Sequence, residues 1–506
     1  MLRKLRIFFA LIFWVGITLL FLDFTGAAHA YLGWMAKVQF LPALLAVNLG
    51  VVAVLVVATL IFGRVYCSVI CPLGVMQDFF AWLGRRGKRR RNKYSYSPER
   101  KWLRYSVFAV FIVALIAGIH AIVALLAPYS AYGRIASSIL SPLYDLGNNV
   151  IASIAESAES YSFYRVDVWI KSVGVLVVAA ATVIALFILA WRNGRTYCNT
   201  ICPVGTLLGL ISRFSLLRPV IDTKKCVNCG LCARRCKASC IDSKNHQIDY
   251  SRCVACMDCI STCREGAISY TRRRPRKDEN KVTSKSTAET KSTATTPDNG
   301  RRAFMAGIAV VGATAAVKAK QMKVDGGLAV IEEKKIPVRQ TPIVPPGAVS
   351  LNHLADHCTA CQLCVSACPN GVLRPSTSAD RFMQPESSYE RGYCRPECTR
   401  CSHVCPTGAI LPITREEKTA IQIGRAVWIK DNCIVTVDGV SCGLCSRRCP
   451  AGAITMVPSD ASNPESLKIP AVDTEKCIGC GACENLCPAR PFSAIYVEGN
   501  LRHRDI

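Results

Sequence analysis

Four apolar stretches, a duplicated Cys-x3-Cys-Pro segment and six runs of four closely spaced cysteines predict a fold of two kinds. One is an α-helical membrane domain of four transmembrane helices in two pseudo-symmetric pairs. The other is a set of α+β ferredoxin-like domains built around 4Fe–4S clusters. Composition divides the chain into a membrane domain at 1–220, a two-run cysteine domain at 221–270, a basic linker at 271–300, a short apolar segment at 301–320 and a four-run cysteine domain at 321–506.

The apolar stretches run over 7–24, 40–62, 106–127 and 173–191. Each is close to the roughly 20 residues a helix needs to cross a bilayer. The first also has the form of a secretory signal, with Arg3, Lys4 and Arg6 ahead of it and Ala28-His29-Ala30 after it. The repeat described below asks for two helix pairs, so this stretch is read as an uncleaved anchor. Lysine and arginine set the orientation. Residues 85–104 carry ten of them against one acid, Glu99, whereas 23–39 has only Lys37 and 128–172 has three against four acids. The N-terminus, the second loop and the chain after Trp191 are therefore expected in the cytoplasm. The formal charge of +27 is spent largely beside the spans and in the linker. It reads as topology and contact with anionic lipid rather than as a nucleic-acid surface.

Gly63-Arg64-Val65-Tyr66-Cys67-Ser68-Val69-Ile70-Cys71-Pro72-Leu73-Gly74 returns as Gly194-Arg195-Thr196-Tyr197-Cys198-Asn199-Thr200-Ile201-Cys202-Pro203-Val204-Gly205. Both copies end an even-numbered span, as parallel repeats about an axis along the membrane normal would. Facing each other, Cys67, Cys71, Cys198 and Cys202 offer four thiolates to an additional metal centre. Two redox dithiols, or a turn without a ligand, are the other readings.

The remaining cysteines carry the strongest signal. Twenty-nine cysteines are an odd count and cannot all pair as disulfides. Bacterial ferredoxins wrap a cubane with C-x2-C-x2-C-x3-C-P and lend the fourth cysteine to the neighbouring cluster. Two such runs lie in 221–270. By that logic Cys226, Cys229, Cys232 and Cys263 bind one cluster, and Cys253, Cys256, Cys259 and Cys236 the other. Lys237 and Arg264 replace the terminal prolines, and positive charge there is expected to raise the reduction potentials. Four more runs follow: Cys358/Cys361/Cys364/Cys368, Cys394/Cys398/Cys401/Cys405, Cys433/Cys442/Cys445/Cys449 and Cys477/Cys480/Cys483/Cys487, each followed by proline. Which run lends its fourth cysteine to which is left open between a sequential and an outer–inner exchange. The expectation is about six 4Fe–4S clusters. Zinc ribbons also use C-x2-C, but with a longer spacer between two pairs and no three-cysteine loop. Cys240 is left over and reads as a buried thiol.

His120 in the third stretch, Asp23 at the end of the first and His29 just beyond it are ionisable groups at the outer membrane edge. Such groups are candidate proton acceptors for a quinol, which loses two protons with its two electrons. The alternative for each is an interfacial group bonded to backbone or lipid. Residues 271–300 read as a disordered linker. Arg301-Arg302-Ala303-Phe304-Met305 then opens an apolar stretch to Val317 that has the form of a twin-arginine export signal. No nucleotide fingerprint, P-loop or C-x-x-C-H haem site occurs.

On these motifs, residues 1–270 resemble the NapH-type membrane quinol dehydrogenase subunit. The match lies in four spans, two C-x3-C-P repeats and a two-cluster ferredoxin. The NosR and CcoG proteins share parts of it. Residues 299–506 look like the MauM/NapG ferredoxins, which carry a twin-arginine signal and four cluster motifs. The departure is that the two are fused, with the export signal internal. The resemblance implies menaquinol oxidation in the helical part. It implies electron delivery through 4Fe–4S clusters to a periplasmic acceptor such as a cytochrome or nitrate reductase. It implies an inner-membrane location, with 221–300 cytoplasmic and 321–506 periplasmic. Two other roles remain open: an electron donor for metalloenzyme maturation, as for the NosR and CcoG relatives, and a cluster-bearing assembly scaffold.

Overall fold

Apolar content makes the helices, and small polar or left-handed residues stop them. The computed structural model describes residues 2–23, 26–86, 94–272, 324–325, 329–330 and 332–506. Its N-terminal half is a helix bundle: α1 Leu2–Leu22, α2 Ala27–Leu32, α3 Trp34–Lys37, α4 Phe40–Leu45, α5 Leu49–Phe62, α6 Val65–Val69, α7 Pro72–Arg86, α8 Lys101–Ile116, α9 His120–Leu126, α10 Pro128–Ile135, α11 Ser141–Ser157, α12 Val173–Asn193, α13 Thr196–Thr200 and α14 Pro203–Ser212. Among the described residues two helices, α1 and α12, are long and apolar enough to cross a membrane. Each has 21 residues, or about 31 Å at the helical rise.

Two expected spans are interrupted. The stretch 40–62 breaks between α4 and α5, where Val47 takes a left-handed φ of 53° and the Asn48 Oδ1 accepts the Val51 N–H at 3.2 Å. An asparagine that caps a new helix outcompetes continuation of the old one. The stretch 106–127 breaks between α8 and α9 at Gly118, with φ 70°. The segment 128–172, expected as an outer loop, is instead largely helical. Pro128 opens α10, where its missing N–H costs nothing, and all eight residues of α10 are buried. A π-helical turn, Ala136–Leu140, then leads into α11.

The repeat is visible in the backbone. α5 and α12 end at Gly63 and Gly194, with φ of 69° and 72°. At the same step of each copy, a side chain on Gly74 would collide with the Cys67 carbonyl, and one on Gly205 with the Cys198 carbonyl. Only glycine lets the helix after each Cys-Pro pack so tightly on its own motif.

Two compact units result. The first holds 1–273, 336–489 and 493–506; the second holds 274–335 with 490–492. In the second, a short hairpin pairs Val324–Asp325 with Ala329–Val330. The basic linker and the twin-arginine stretch lie outside the described residues. In the first unit the middle cysteine domain is closed by Leu217–Ile221 pairing antiparallel with Ile268–Arg272. The last domain is closed by Ile421–Trp428 pairing with Ile495–Asp505.

One hydrophobic core joins the parts. It holds Ile17, Leu20 and Phe21 of α1 with Cys67, Cys71 and Cys202, and it takes in Val254 and Cys256 of the middle domain and Cys361 and Leu363 of the last. The two domains meet opposite ends of α1. Arg3 donates to Asp258 of the middle domain at 2.9 Å. At the far end, Gly133 of α10 is closed in by the Phe21 ring and the Cys361 carbonyl. Arg374 and Arg391 of the last domain flank the Trp169 ring at 4.6 and 4.9 Å. Through Arg3 and Arg6, α1 is tied to Asp258 and Asp78.

The contact at Gly133 gives a sharp test. Gly133→Val should overpack the joint by about 1–3 kcal/mol. Faster proteolytic release of the last domain from detergent-solubilised protein, with α12 still protected, is the expected outcome.

Candidate functional site

The three-cysteine loops share one backbone device. In four of the six runs both residues flanking the central cysteine are left-handed: Asn228 and Gly230, Ala255 and Met257, Ala360 and Gln362, Gly479 and Gly481. Alternating handedness curls successive N–H groups to one side and makes a concave cradle. The Ala360 N–H accordingly donates to the Cys358 Sγ at 3.4 Å, and Ala255 and Gly479 do the same for Cys253 and Cys477. Left-handed alanine, methionine and glutamine are costly outside such a site.

In the middle domain the sets assemble as the spacing predicts. Cys226, Cys229, Cys232 and Cys263 line one cavity of about 220 Å³. Cys236, Cys253, Cys256 and Cys259 line a smaller one of about 20 Å³. Cys240 lines the second as well, with its Sγ 3.5 Å from that of Cys236. It is buried, as expected, but it is a direct neighbour of the set rather than an incidental thiol. Lys237 corrects a second expectation. It is buried and shared between Asp78 at 3.1 Å and Asp258 at 3.2 Å, so its charge is matched by carboxylates instead of being left to act on the cysteines.

In the last domain the packing of the runs bears on the open pairing. Cys364 lies near Cys361, Cys358, Cys405 and Cys401, and Cys401 near Cys394, Cys368 and Cys398. Runs one and two are therefore interleaved. Cys433, Cys442, Cys445 and Cys487 line one cavity of about 30 Å³, and Cys483 lies near Cys480, Cys477 and Cys449. Runs three and four are interleaved likewise, the arrangement of the sequential exchange.

The duplicated motif also converges. Cys67, Cys71, Cys198 and Cys202 are all buried and lie within electrostatic reach of one another. Each copy's arginine crosses to the other copy. Arg64 donates to the Cys198 carbonyl at 3.0 Å, and Arg195 to the Cys67 carbonyl at 2.5 Å. The Arg64 Nη2 also stands 3.7 Å from the Cys67 Sγ, and the Gln77 amide donates to the Cys198 Sγ at 3.3 Å. Behind them Asp78 binds Arg195 at 2.7 Å and Arg6 at 2.9 Å. Sequence reasoning missed these partners, although the Gly-Arg that opens both copies was a signal. Arg104, expected at the lipid surface, is buried on Glu99 at 2.6 Å and on Ser251 at 3.1 Å.

The three proton-acceptor candidates do not form one group. Asp23 accepts from the Gly26 N–H at 2.8 Å and stands 3.2 Å from the His29 Nδ1. The His29 Nε2 is buried without a partner. His120 has a different neighbour, Asp356 of the last domain, at 3.9 Å.

These sets suit iron–sulfur clusters. Every donor is a thiol, cradling backbone N–H groups point at the sulfurs, and a cubane-sized space lies between them in the largest case. Burial pushes the free thiols of Cys256, Cys361 and Cys480 up to about 12. They are protonated at neutral pH, so loading must expel protons and is favoured as pH rises. Iron uptake by the apoprotein should release protons and quicken from pH 7 to 8.5. Cys405→Ser should perturb the electron paramagnetic resonance (EPR) signal of the Cys358/Cys361/Cys364 set and leave that of Cys394/Cys398/Cys401 near normal. The reverse would overturn the exchange.

Comparison with known proteins agrees. Residues 44–91 and 175–221 each match a family model described as a 4Fe-4S binding domain, and 357–409 and 440–490 each match a 4Fe-4S dicluster domain. The methylamine utilization ferredoxin-type protein MauM of Methylophilus methylotrophus is 33% identical over 159 residues, which is 30% of this chain and 69% of the relative. The ferredoxin-type protein NapG of Escherichia coli is 29% identical over 198 residues, 36% of this chain and 79% of the relative. MauN of Paracoccus denitrificans is 24% identical over 208 residues, 41% of this chain and 57% of the relative. No solved structure matches. With its cradled thiolate sets and these relatives, the chain belongs to the MauM/NapG family of ferredoxin-type 4Fe–4S electron-transfer proteins, and it carries multiple clusters.

Proposed function

We propose that this chain oxidises a membrane quinol, menaquinol by resemblance, and passes the electrons through its clusters to a periplasmic cytochrome or terminal reductase. The observation that carries the reading is the attachment of the two cluster-type domains to opposite ends of α1, a helix about as long as a bilayer is thick. On this reading the bundle is a multi-pass domain of the bacterial inner membrane, in which the broken stretches complete the third and fourth crossings. The middle domain is cytoplasmic and the last domain periplasmic.

Six sets of four cysteines would hold six 4Fe–4S clusters, each supplying one-electron transfer at a potential tuned by its surroundings. Cys67, Cys71, Cys198 and Cys202 would hold a further centre between the two ends. The chain's own residues do the rest. Tyr129 of α10 bears on Cys361 and Cys405. At the other end of the same buried helix, Arg134 stands near Tyr197, the neighbour of Cys198. Asp23 fixes the His29 ring through Nδ1, which leaves Nε2 to accept a quinol proton. Relatives named for methylamine utilization and for the Nap system leave the final acceptor to be identified by the neighbouring genes.

Two measurements test this. Anaerobically isolated protein should contain about 24 irons, or about 28 if the duplicated motif is loaded. Menaquinol should reduce the clusters in detergent, and His29→Gln should slow that reduction about 10²-fold or more without changing iron content, as loss of a general base does. Clusters that no quinol reduces would remove the reading and favour the maturation donor.

A further inference from the structure

Of the 29 cysteines, Cys229 is the one that is exposed. It belongs to the set Cys226/Cys229/Cys232/Cys263, and Val227 beside it is 65% exposed. The residues that line its cavity all belong to this domain. The bundle is met chiefly through the other half of the domain, where the Lys237 carbonyl accepts from the Arg195 N–H at 2.8 Å and the Ser251 carbonyl accepts from Arg64 at 3.1 Å, while the Arg234 carbonyl accepts from the Tyr94 N–H at 3.4 Å. Lys224 and Lys225 directly precede Cys226, and Arg264 directly follows Cys263. Arg234 and Arg235 follow Cys232, and Lys244 adjoins Ser243, which lines the same cavity. All six cations are exposed. The ion pairs of this domain engage Arg3, Lys237 and Arg252 instead. The exposed carboxylates beside the set are Asp222 and Glu265, so positive charge dominates the face.

An exposed cysteine and an exposed valine flanked along the chain by exposed cations suit a port for electrons, not a membrane contact alone. The basic residues steer an acidic partner and fix its approach, and the apolar centre brings two redox groups close. We propose that this face docks a small soluble electron carrier with an acidic surface, which exchanges electrons with the chain at the Cys226/Cys229/Cys232/Cys263 set. The inference rests on that set holding a cluster. One electron moves per encounter: the reduced carrier is oxidised by one and the oxidised cluster reduced by one, with no bond made and no proton required. The chain then has a second electron entry, distinct from quinol.

The test uses the holoprotein in nanodiscs of neutral lipid, with a reduced acidic 2Fe–2S ferredoxin as probe. Stopped-flow bleaching gives the rate, and thermophoresis with the oxidised probe gives the affinity. The rate should fall steeply with ionic strength. Lys224→Glu with Lys225→Glu should lower both rate and affinity about tenfold at low salt, whereas Arg415→Glu with Arg447→Glu in the last domain should change neither. EPR of the same samples checks that the cluster is intact in each variant. A rate that ignores both salt and charge reversal overturns the proposal. So does loss of probe binding when anionic lipid is added, which would make the face a lipid contact. Absence of the cluster signal from the wild-type protein would sink the underlying cluster assignment instead.

Discussion

The end of the bundle that carries the start of α1 turns on one carboxylate. Asp78 binds Arg6 of α1, Arg195 of the second repeat and Lys237 of the middle domain, while Arg195 also reaches the Cys67 carbonyl of the first repeat. Burying so many charges is costly, and the cost is offset only when every partner is in place. Half of this arrangement would leave a bare cation beside the duplicated cysteines. The first helix, the two repeats and the middle cysteine domain are therefore obliged to come together as one, which explains why they share a single core.

That obligation shapes what the sequence could reveal. The cysteine sets of the middle domain were legible because one loop's spacing and the ferredoxin exchange rule leave a single sensible pairing. The last domain was not, since spacing says nothing about which run lies beside which. Only the packing of Cys364 near Cys405, and of Cys483 near Cys449, bears on it. The breaks at Asn48 and Gly118 were local cues outvoted by continuous apolar content. α10 was hidden by a charge count that treats 128–172 as solvent-facing, although Pro128 and the aromatic residues after it announce a buried helix. Asp78 and Arg195 lie 117 residues apart, beyond any periodicity argument.

The bundle and the cluster domains solve a common problem in different ways. Each brings several cysteines close together, away from water. In the cysteine loops the answer is backbone: left-handed residues curl N–H groups toward sulfur. In the duplicated motif it is side chain: arginines cross from each copy to the other, and the glycine after each Cys-Pro lets the chain fold back on itself. The second solution needs both copies, so neither repeat makes sense alone.

A sequential trade of fourth cysteines has a consequence for biogenesis. Within each pair of runs neither cubane can be completed until its neighbour's loop has folded, so insertion is all-or-none for two clusters at a time. Between pairs there is no such debt. The last domain should thus mature in two independent steps, and a chain starved of iron would accumulate with one finished pair and one empty pair rather than with clusters missing at random.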